Sequence, residues 1–509
     1  MATGRWCGRL PKTGTGACDG SRNGTLRIPI GNDVRQETVG LKMPEVRQFE
    51  LLDGLTSRRS TAAELGGLAK WFQNRFATKT RPVVALIIDD KFELIRVTLA
   101  LTQLAVNVIP LNPSASENEL EPYLRHAEVS FIVTDAPALM VGHDCAILST
   151  NELPTDLPAA EPASAEHVQA AFVFFTSGST GVPKGVRLEP AMVVGNARLA
   201  IQHLPYTADT VTASILPGYH TFTLISDVMT SFILATKCVV LPNFELKYLS
   251  STVDALIQHR VNTFSAVPII FNVLSKFAGA LRESALQFTT SGAAPLTAEL
   301  ARQYTENLGH PLVPCYGMTE AVCFITISDI RQIKFGSAGK PVVELRVVDE
   351  GDIPLPSHTV GAIQVRGDTV IADGYYRSNL EHTQVYAEGG WLRTGDLGYL
   401  DEDGCLFVRG RSKNMVIRGG EKIYLEDVEA LFESGTVAGV PILRDNSEAY
   451  ALFIEEGRHD PEHAVHTIRG ALGERHVPDQ VIMIPRVPKS PTGKLLRQEI
   501  AKELARGHR

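Results

Sequence analysis

Phe174-Phe175-Thr176-Ser177-Gly178-Ser179-Thr180-Gly181-Val182-Pro183-Lys184-Gly185 is the stretch on which the reading of this chain turns. It follows an apolar run, Ala171 to Phe175, that predicts a buried strand. Glycines among the hydroxyls let the backbone turn sharply and bring its N–H groups close to an anion. The hydroxyls add hydrogen-bond donors, and Lys184 adds a positive charge that can follow a polyphosphate. The stretch therefore reads as a phosphate-cradling loop. No Gly-Lys-Ser/Thr tripeptide occurs, so it is not a Walker A loop. The preceding strand and the Pro-Lys-Gly beyond it set it apart from a plain Ser/Gly surface turn.

Strand and helix patterns alternate on the N-terminal side of the loop. Leu65, Leu68, Phe72 and Phe76 mark one face of a helix. Val83 to Ile88 is a continuous apolar strand, Phe92 to Leu104 has helical spacing, and Val106 to Pro110 is a strand. Glu117 to His126 is a helix and Val129 to Val133 a strand. Fully apolar strands alternating with helices predict a parallel sheet covered on both faces. Asn151 to Ala165 reads as a linker-like passage rich in Pro and Ala. Beyond the loop, strands are expected at Thr212 to Leu216, Val239 to Leu241, Thr263 to Val267 and Leu286 to Thr290. Helices are expected at Ser250 to His259, Ile269 to Phe277 and Thr297 to Asn307. From Phe324 to Gly367 shorter alternating runs predict a small barrel or antiparallel sheet. After a hairpin signal at Asp401 to Gly404, a tail of about a hundred residues has its own α+β pattern, a size compatible with a domain. Its predicted elements include a strand at Met415 to Arg418 and a helix at Leu425 to Phe432. The expected class is α/β: a large N-terminal domain of parallel α/β subdomains with a small β-barrel-like part, residues 43–409, then a small mobile α+β domain, residues 410–509.

Composition sets the outer bounds. The chain has 509 residues, 44% of them apolar and 21% charged, as in soluble globular proteins. Its formal net charge of −8, with both signs spread along the chain, argues against a clustered nucleic-acid footprint. The seven cysteines are scattered without CxxC spacing, and the fourteen histidines form no metal-ligand pattern. The thiols read as reduced, in a cytoplasmic protein. No apolar run approaches transmembrane length. Residues 1–42, rich in Gly, Thr and Arg, have no apolar periodicity and no signal-peptide core, and are expected to be a disordered extension.

Further motifs come in order: Thr290-Ser291-Gly292-Ala293-Ala294-Pro295, Tyr316-Gly317-Met318-Thr319-Glu320, Trp391-Leu392-Arg393-Thr394-Gly395-Asp396, Gly410-Arg411-Ser412-Lys413-Asn414-Met415, Gly419-Gly420-Glu421-Lys422-Ile423 and Pro488-Lys489-Ser490-Pro491-Thr492-Gly493-Lys494. With the opening loop, this series resembles the adenylate-forming superfamily of acyl- and aryl-CoA ligases, luciferase and nonribosomal peptide synthetase adenylation domains. The resemblance covers roughly residues 60 to 500, a span of several subdomains.

The resemblance implies that a carboxylate attacks the α-phosphate of ATP, giving an acyl-adenylate and pyrophosphate. It implies Thr176, Ser177, Gly178, Ser179, Thr180, Gly181 and Lys184 at the β- and γ-phosphates. It implies Glu320 at Mg²⁺, and Thr319 at the α-phosphate or the substrate carboxylate. Gly292, Ala293 and Ala294 would offer backbone to the adenine, with Tyr316, followed by Gly317 and Met318, on its other face. Asp396 would accept from both ribose hydroxyls, and Arg411 would reach the same ribose. Lys494 would stabilise the carboxylate and α-phosphate during adenylation. Lys413 matches the family's hinge, about which the small domain turns to bring the Gly419-Gly420 region up for thioester formation with coenzyme A.

Leu216-Pro217-Gly218-Tyr219-His220-Thr221-Phe222 resembles the aromatic-rich motif of acyl- and aryl-CoA ligases, and places His220 near the substrate carboxylate. Amino-acid-activating relatives use an Asp near here; Asp227 falls a few residues late, which disfavours an amino acid. Val267, Pro268 and Ser291 are expected to line the acyl pocket. Ala362 and Leu425 depart from the family's frequent Glu and Pro, away from the chemistry. The expected activity is a carboxylic acid–CoA ligase using ATP and Mg²⁺. The alternative acceptor is the phosphopantetheine of a carrier protein. A non-catalytic nucleotide-binding relative is disfavoured by the intact Lys184, Glu320, Asp396, Arg411 and Lys494.

Overall fold

The computed structural model describes residues 49–77, 79–140, 145–176, 184–378, 380, 382–418, 421–433, 435–444, 447–490 and 495–506. The extension 1–42, loop residues 177–183, Gly419, Gly420 and Lys494 lie outside the described residues.

Two largely parallel sheets carry an α/β fold. The first runs in the order Ala146–Ser149, Phe131–Thr134, Val83–Ile87, Asn107–Pro110, Ala171–Thr176 and Lys184–Leu188. Its first five strands are parallel and the last is antiparallel. Val83–Ile87 is apolar throughout because both its faces are covered. Val84 and Leu86 enter the core between the two sheets, whereas Val83, Ala85 and Ile87 enter a smaller core on the opposite face.

The second sheet runs Lys340–Pro341, Thr326–Ile327, Leu312–Tyr316, Thr289–Ser291, Thr263–Ala266, Val211–Ser214, Lys237–Val240, Glu50–Asp53 and Arg59–Thr61. Its six strands from Leu312–Tyr316 to Glu50–Asp53 are parallel. Helices Ala62–Phe76, Lys91–Leu101 and Pro190–His203 pack into the core shared by the sheets. Leu65, Leu68, Phe72 and Phe76 are the buried face of the first, as expected. Thr61 and Glu64 close its N-terminus as a capping box. The two side-chain contacts of Asp90 to Phe92 and Glu93 N–H cap the second.

A five-stranded antiparallel sheet follows, built on Glu344–Val348, Gly361–Arg366, Trp391–Leu400, Tyr386–Ala387 and Leu406–Arg411. The last of these strands is still paired at Gly410 and Arg411. The tail adds the hairpin Met415–Arg418 with Glu421–Tyr424, and a sheet of Val437–Arg444, Ser447–Glu455 and Gln480–Ile484. It has two apolar clusters of its own, around Leu425 and Phe453.

Several elements differ from the sequence expectation. The helix expected at Leu425 to Phe432 ends at Glu429, because Leu431 and Phe432 donate three residues back and tighten the last turn. Pairing in the expected strand Leu286 to Thr290 is confined to Thr289–Ser291. Helix Pro190–His203 and the broken helix Thr221–Leu234 were not anticipated. The latter contains a π turn, Leu224–Met229, with every residue buried. Such turns recur at functional sites.

Candidate active site

The site motifs leave the carboxyl ends of neighbouring parallel strands: Leu312–Tyr316, Thr289–Ser291, Thr263–Ala266 and Val211–Ser214. Open α/β sheets bind ligands at such ends.

The stems of the phosphate loop are a ladder pair. Thr176 faces Lys184 across antiparallel strands, and its Oγ1 donates to the Lys184 carbonyl at 3.4 Å. Lys184 Nζ stands 5.1 Å from the centroid of the Tyr375 ring. Tyr375 in turn donates to Glu320 Oε1 at 2.9 Å. Burial and the adjoining Glu320 carboxylate hold the Tyr375 phenol well above its usual range. Tyr376 N donates to the Gly185 carbonyl at 2.7 Å, tying this aromatic pair to the loop's second stem. Tyr375 was missed from sequence; its signal is an aromatic pair placed just after Gly374.

Glu320 is buried in a constrained turn. A Cβ on Gly317 would lie 1.4 Å from the Cys323 carbonyl oxygen, so only glycine fits where the chain crosses itself. Val322 has φ 63° and ψ −64°, and the Cys323 N–H donates to the Ala321 carbonyl at 2.7 Å. This is a γ-turn at a β-branched residue, a strained conformation that needs support from its surroundings. Asn196, fully buried, supplies it. Its Nδ2 donates to the Ala321 and Phe324 carbonyls at 3.2 and 3.0 Å, and its Oδ1 accepts from Phe324 N at 2.9 Å. Asn196 also escaped the sequence reading, because its helix did.

A second constellation centres on Asp396, also buried. Tyr316 Oη donates to its Oδ2 at 2.6 Å, and Arg411 Nε approaches its Oδ1 at 3.0 Å. Burial and the Asp396 charge raise the Tyr316 phenol well above its ordinary value, while Asp396 raises Arg411. Asp396 and Arg411 are cross-strand partners because of a bulge. Gly398 pairs with Val408, but the register shifts between Leu397 and Gly398 and Leu397 pairs with Gly410. Without that shift Asp396 would face Gly410. Arg411 interacts electrostatically with Glu320 and with Tyr375, so the two constellations form one site. Burial, then the positive charges of Lys184 and Arg411, push the Lys413 ammonium below its usual value. Lys184, Arg411 and Lys413 are thus close enough to repel one another electrostatically.

The acyl-pocket candidates are carried by neighbouring strand ends and the segments that follow them. His220 Nε2 is buried and has no hydrogen-bond partner among the described residues, and burial lowers the imidazole to about 4, so it is neutral at pH 7. Ser291 Oγ is likewise buried and without a partner among the described residues. Val267 caps, and Pro268 opens, helix Pro268–Leu274, and Gly292 N donates to the Ala266 carbonyl at 3.3 Å. Ala293 has φ 63°, a left-handed conformation uncommon for alanine. Thr319 opens the short turn that carries Glu320. Asp227 sits in the π turn, fully buried, interacting with Ser265 and with Lys91. Lys91 Nζ donates to the Ser214 and Leu241 carbonyls at 2.8 and 2.9 Å, and burial lowers it to about 7.

Among the described residues no group of three or more His, Cys, Asp or Glu could hold a metal. A hard cation such as Mg²⁺ at Glu320 would therefore need other oxygen donors, such as the phosphate oxygens of a bound nucleotide. The donor chemistry of Glu320, with one oxygen held by Tyr375, fits that arrangement.

This is an α/β architecture with paired acidic, basic and tyrosine side chains grouped beyond its strand ends. Residues 55–376 match the AMP-binding enzyme family, and the chain belongs to that family. It is 28% identical over 431 residues to a 2-succinylbenzoate–CoA ligase of Bacillus cereus, covering 82% of this chain and 87% of that one. It is 28% identical over 451 residues to a sulfoacetate–CoA ligase of Cupriavidus necator, covering 82% and 86%. Among solved structures, ATP-bound MatB from Rhodopseudomonas palustris shares the fold with a TM-score of 0.79 at 23% identity, over 91% of this chain and 97% of that one. The o-succinylbenzoate CoA synthetase of Bacillus subtilis with its acyl-adenylate gives 0.77 at 23% identity, over 88% and 94%. No helix among the described residues is long and apolar enough to cross a membrane.

Proposed function

We propose that this chain is an AMP-forming carboxylic acid–CoA ligase. The observation that carries the reading is the pairing of Arg411 with Asp396 and the chain of Lys184, Tyr375 and Glu320 next to it, in an AMP-binding family member whose relatives named as CoA ligases align over most of its length. A carboxylate oxygen attacks the α-phosphorus of ATP, the bond to the bridging oxygen breaks, and pyrophosphate leaves. The thiolate of coenzyme A then attacks the acyl carbonyl carbon, and AMP leaves.

The residues divide this work. Thr176, Ser177, Gly178, Ser179, Thr180, Gly181 and Lys184 grip the β- and γ-phosphates, the leaving-group side. Tyr316, Gly317 and Met318 on one side and Gly292, Ala293 and Ala294 on the other hold the adenine. Asp396, oriented by Tyr316 and Arg411, holds the ribose; each of its oxygens keeps a lone pair for a hydroxyl. Bound at Glu320, Mg²⁺ would offset phosphate charge. Thr319 contacts the α-phosphate or the acid. Neutral His220 lies by the acid's carboxylate, with Val267, Pro268 and Ser291 around its acyl part. Lys494 bridges the carboxylate and α-phosphate, and residues 410–509 turn about Lys413 to bring up Gly419 and Gly420 for the thioester step. A carrier-protein phosphopantetheine presents the same thiol and is the competing acceptor. The reduced cysteines suit a cytoplasmic setting.

The test is pyrophosphate release with ATP, Mg²⁺ and a panel of fatty, aryl and amino acids, followed by thioester formation with coenzyme A and with a holo carrier protein side by side. Release with at least one acid and thioester on coenzyme A support the reading. No release with any acid, or transfer to the carrier protein alone, refutes it.

A further inference from the structure

We propose that Arg409 and Asp427 form a latch across the hinge, and that as positioning residues they set the balance between adenylate formation and thioester formation. The inference rests on the adenylating reading above and on the turn about Lys413 that belongs to it.

Arg409 stands on strand Leu406–Arg411, the strand that runs up to the hinge. Asp427 stands beyond the hinge, on the short helix Leu425–Glu429. Arg409 Nη2 donates to Asp427 Oδ2 at 2.5 Å. The same guanidinium lies 5.6 Å from the centroid of the Tyr424 ring, which also follows the hinge. Glu426 adds a second contact. Its carboxylate lies against Gly410, where a Cβ would come 2.3 Å from Glu426 Oε2, and its Oε1 accepts from Arg411 N at 3.5 Å. Each of these contacts joins a residue before Lys413 to one after it. A turn about Lys413 has to separate them.

Behind the latch, the residues after the hinge are tied to one another. Glu426 Oε1 accepts from Asn414 Nδ2 at 2.6 Å. Arg497 Nη2 donates to the two oxygens of Glu429 at 2.6 and 2.7 Å, and lies 3.6 Å from Glu426 Oε1. Asn414 leaves the hinge, and Arg497 comes just after Lys494 in sequence. Holding helix Leu425–Glu429 therefore holds both the exit of the hinge and the chain next to Lys494. Of the positive groups that act on Asp427, His476 lies after the hinge and travels with it, whereas Arg409 is left behind by a turn. The Arg409 and Asp427 side chains remain 40% and 25% exposed, so the pair is weak enough to open in each catalytic cycle. An ion pair of that kind biases an equilibrium by about two- to fivefold.

The test uses the full-length protein with a donor dye at exposed Ile353, before the hinge, and an acceptor at exposed Leu443, after it. Energy transfer is followed with MgATP and with coenzyme A as the two probes. In wild type, one of them should move the dyes by drawing the small domain off the latch. Asp427→Asn and Arg409→Gln should each bind that probe about two- to fivefold tighter, because less free energy opposes the turn. The half-reaction that uses it should gain on the other by the same factor, measured with an acid that releases pyrophosphate in the panel above. Arg409→Asp combined with Asp427→Arg should return both readouts toward wild type. An unchanged ratio of the two half-reactions, or an equal loss of both, shows a merely structural pair and overturns the inference. A combined variant no closer to wild type than the single ones also overturns it. If neither probe moves the dyes in wild type, there is no turn for the pair to restrain; the inference falls, while pyrophosphate release still upholds the adenylating reading. Release with no acid defeats that reading and the inference together. If one single variant does not keep the wild-type circular dichroism spectrum, the other decides.

Discussion

Replacing Asn196 by alanine should damage both the stability of the protein and its chemistry, although Asn196 touches no substrate. The side chain is wholly buried and makes three hydrogen bonds to the turn that carries Glu320. On its removal the Ala321 carbonyl keeps the Cys323 N–H, but both backbone groups of Phe324 lose the partner seen among the described residues. Two buried polar groups left unpaired, at about 1–3 kcal/mol each, predict a loss of about 3 kcal/mol. The strained Val322 turn would also lose its clamp, so Glu320 should shift relative to Lys184. Urea unfolding gives the first quantity, and ATP–pyrophosphate exchange at saturating ATP gives the second. Asn196→Asp separates the terms. It keeps an acceptor for Phe324 N–H but presents lone pairs to the two carbonyls, so the variant should regain stability as pH falls and the buried carboxyl takes up a proton. If Asn196→Ala loses less than about 1 kcal/mol, the accounting of unpaired groups is wrong. If it is destabilised yet keeps wild-type exchange, the turn does not depend on the clamp.

Asp396→Ala should raise KM for ATP by about ten- to a hundredfold, the range for losing hydrogen bonds to a charged group, with little change in KM for the acid; equal changes in both would remove Asp396 from the nucleotide side. Lys494→Ala should nearly abolish adenylate formation while sparing thioester formation from preformed adenylate, and Lys413→Pro should do the reverse. Rapid-quench measurement of the two half-reactions checks both, and a parallel loss of the two steps in either variant would contradict its assignment. Burial lowers His220 and His310 to about 4 from an ordinary value near 6.5. Each favours the neutral form in the fold, so the stability they contribute is complete above 6.5 and is lost as pH falls toward 4. Urea midpoints should therefore fall across that window, and less so in His310→Gln; coincident profiles would show that His310 is not linked to folding.

The sequence made the parallel sheets legible because strands such as Val83–Ile87 are covered on both faces and write themselves as apolar runs. The elements it hid were hidden for physical reasons. Helix Pro190–His203 buries Val193, Val194, Asn196, Ala197 and Ala200, a face mixing apolar, small and amide side chains that no hydrophobic period marks. The broken helix Thr221–Leu234 is buried nearly all round, so it has no polar face to set a period. Strand Lys184–Leu188 comes directly after the glycine loop, where Lys184 reads as part of the phosphate grip and Arg187 interrupts the apolar run. In the tail, strand Val437–Arg444 is interrupted in pattern by Gly439 and Pro441. Tyr375 belongs to an irregular stretch, where no period could single it out.

The nucleotide-side pair shows why motif residues alone under-describe the site. Asp396 and Arg411 stand fifteen positions apart around the Asp401–Gly404 turn, and plain hairpin counting from Leu400 opposite Leu406 puts Asp396 opposite Gly410. The extra residue in the bulge moves Arg411 into that place. Arg411 is therefore held by the ladder of the antiparallel sheet, whereas Lys413 falls in the short turn Ser412–Asn414, just past the last paired residue. The torsional change proposed at Lys413 would turn the residues after it without breaking the Asp396–Arg411 pair. The proposed ribose grip can thus stay in place while the proposed catalytic Lys494 leaves, as an adenylate retained between two half-reactions requires.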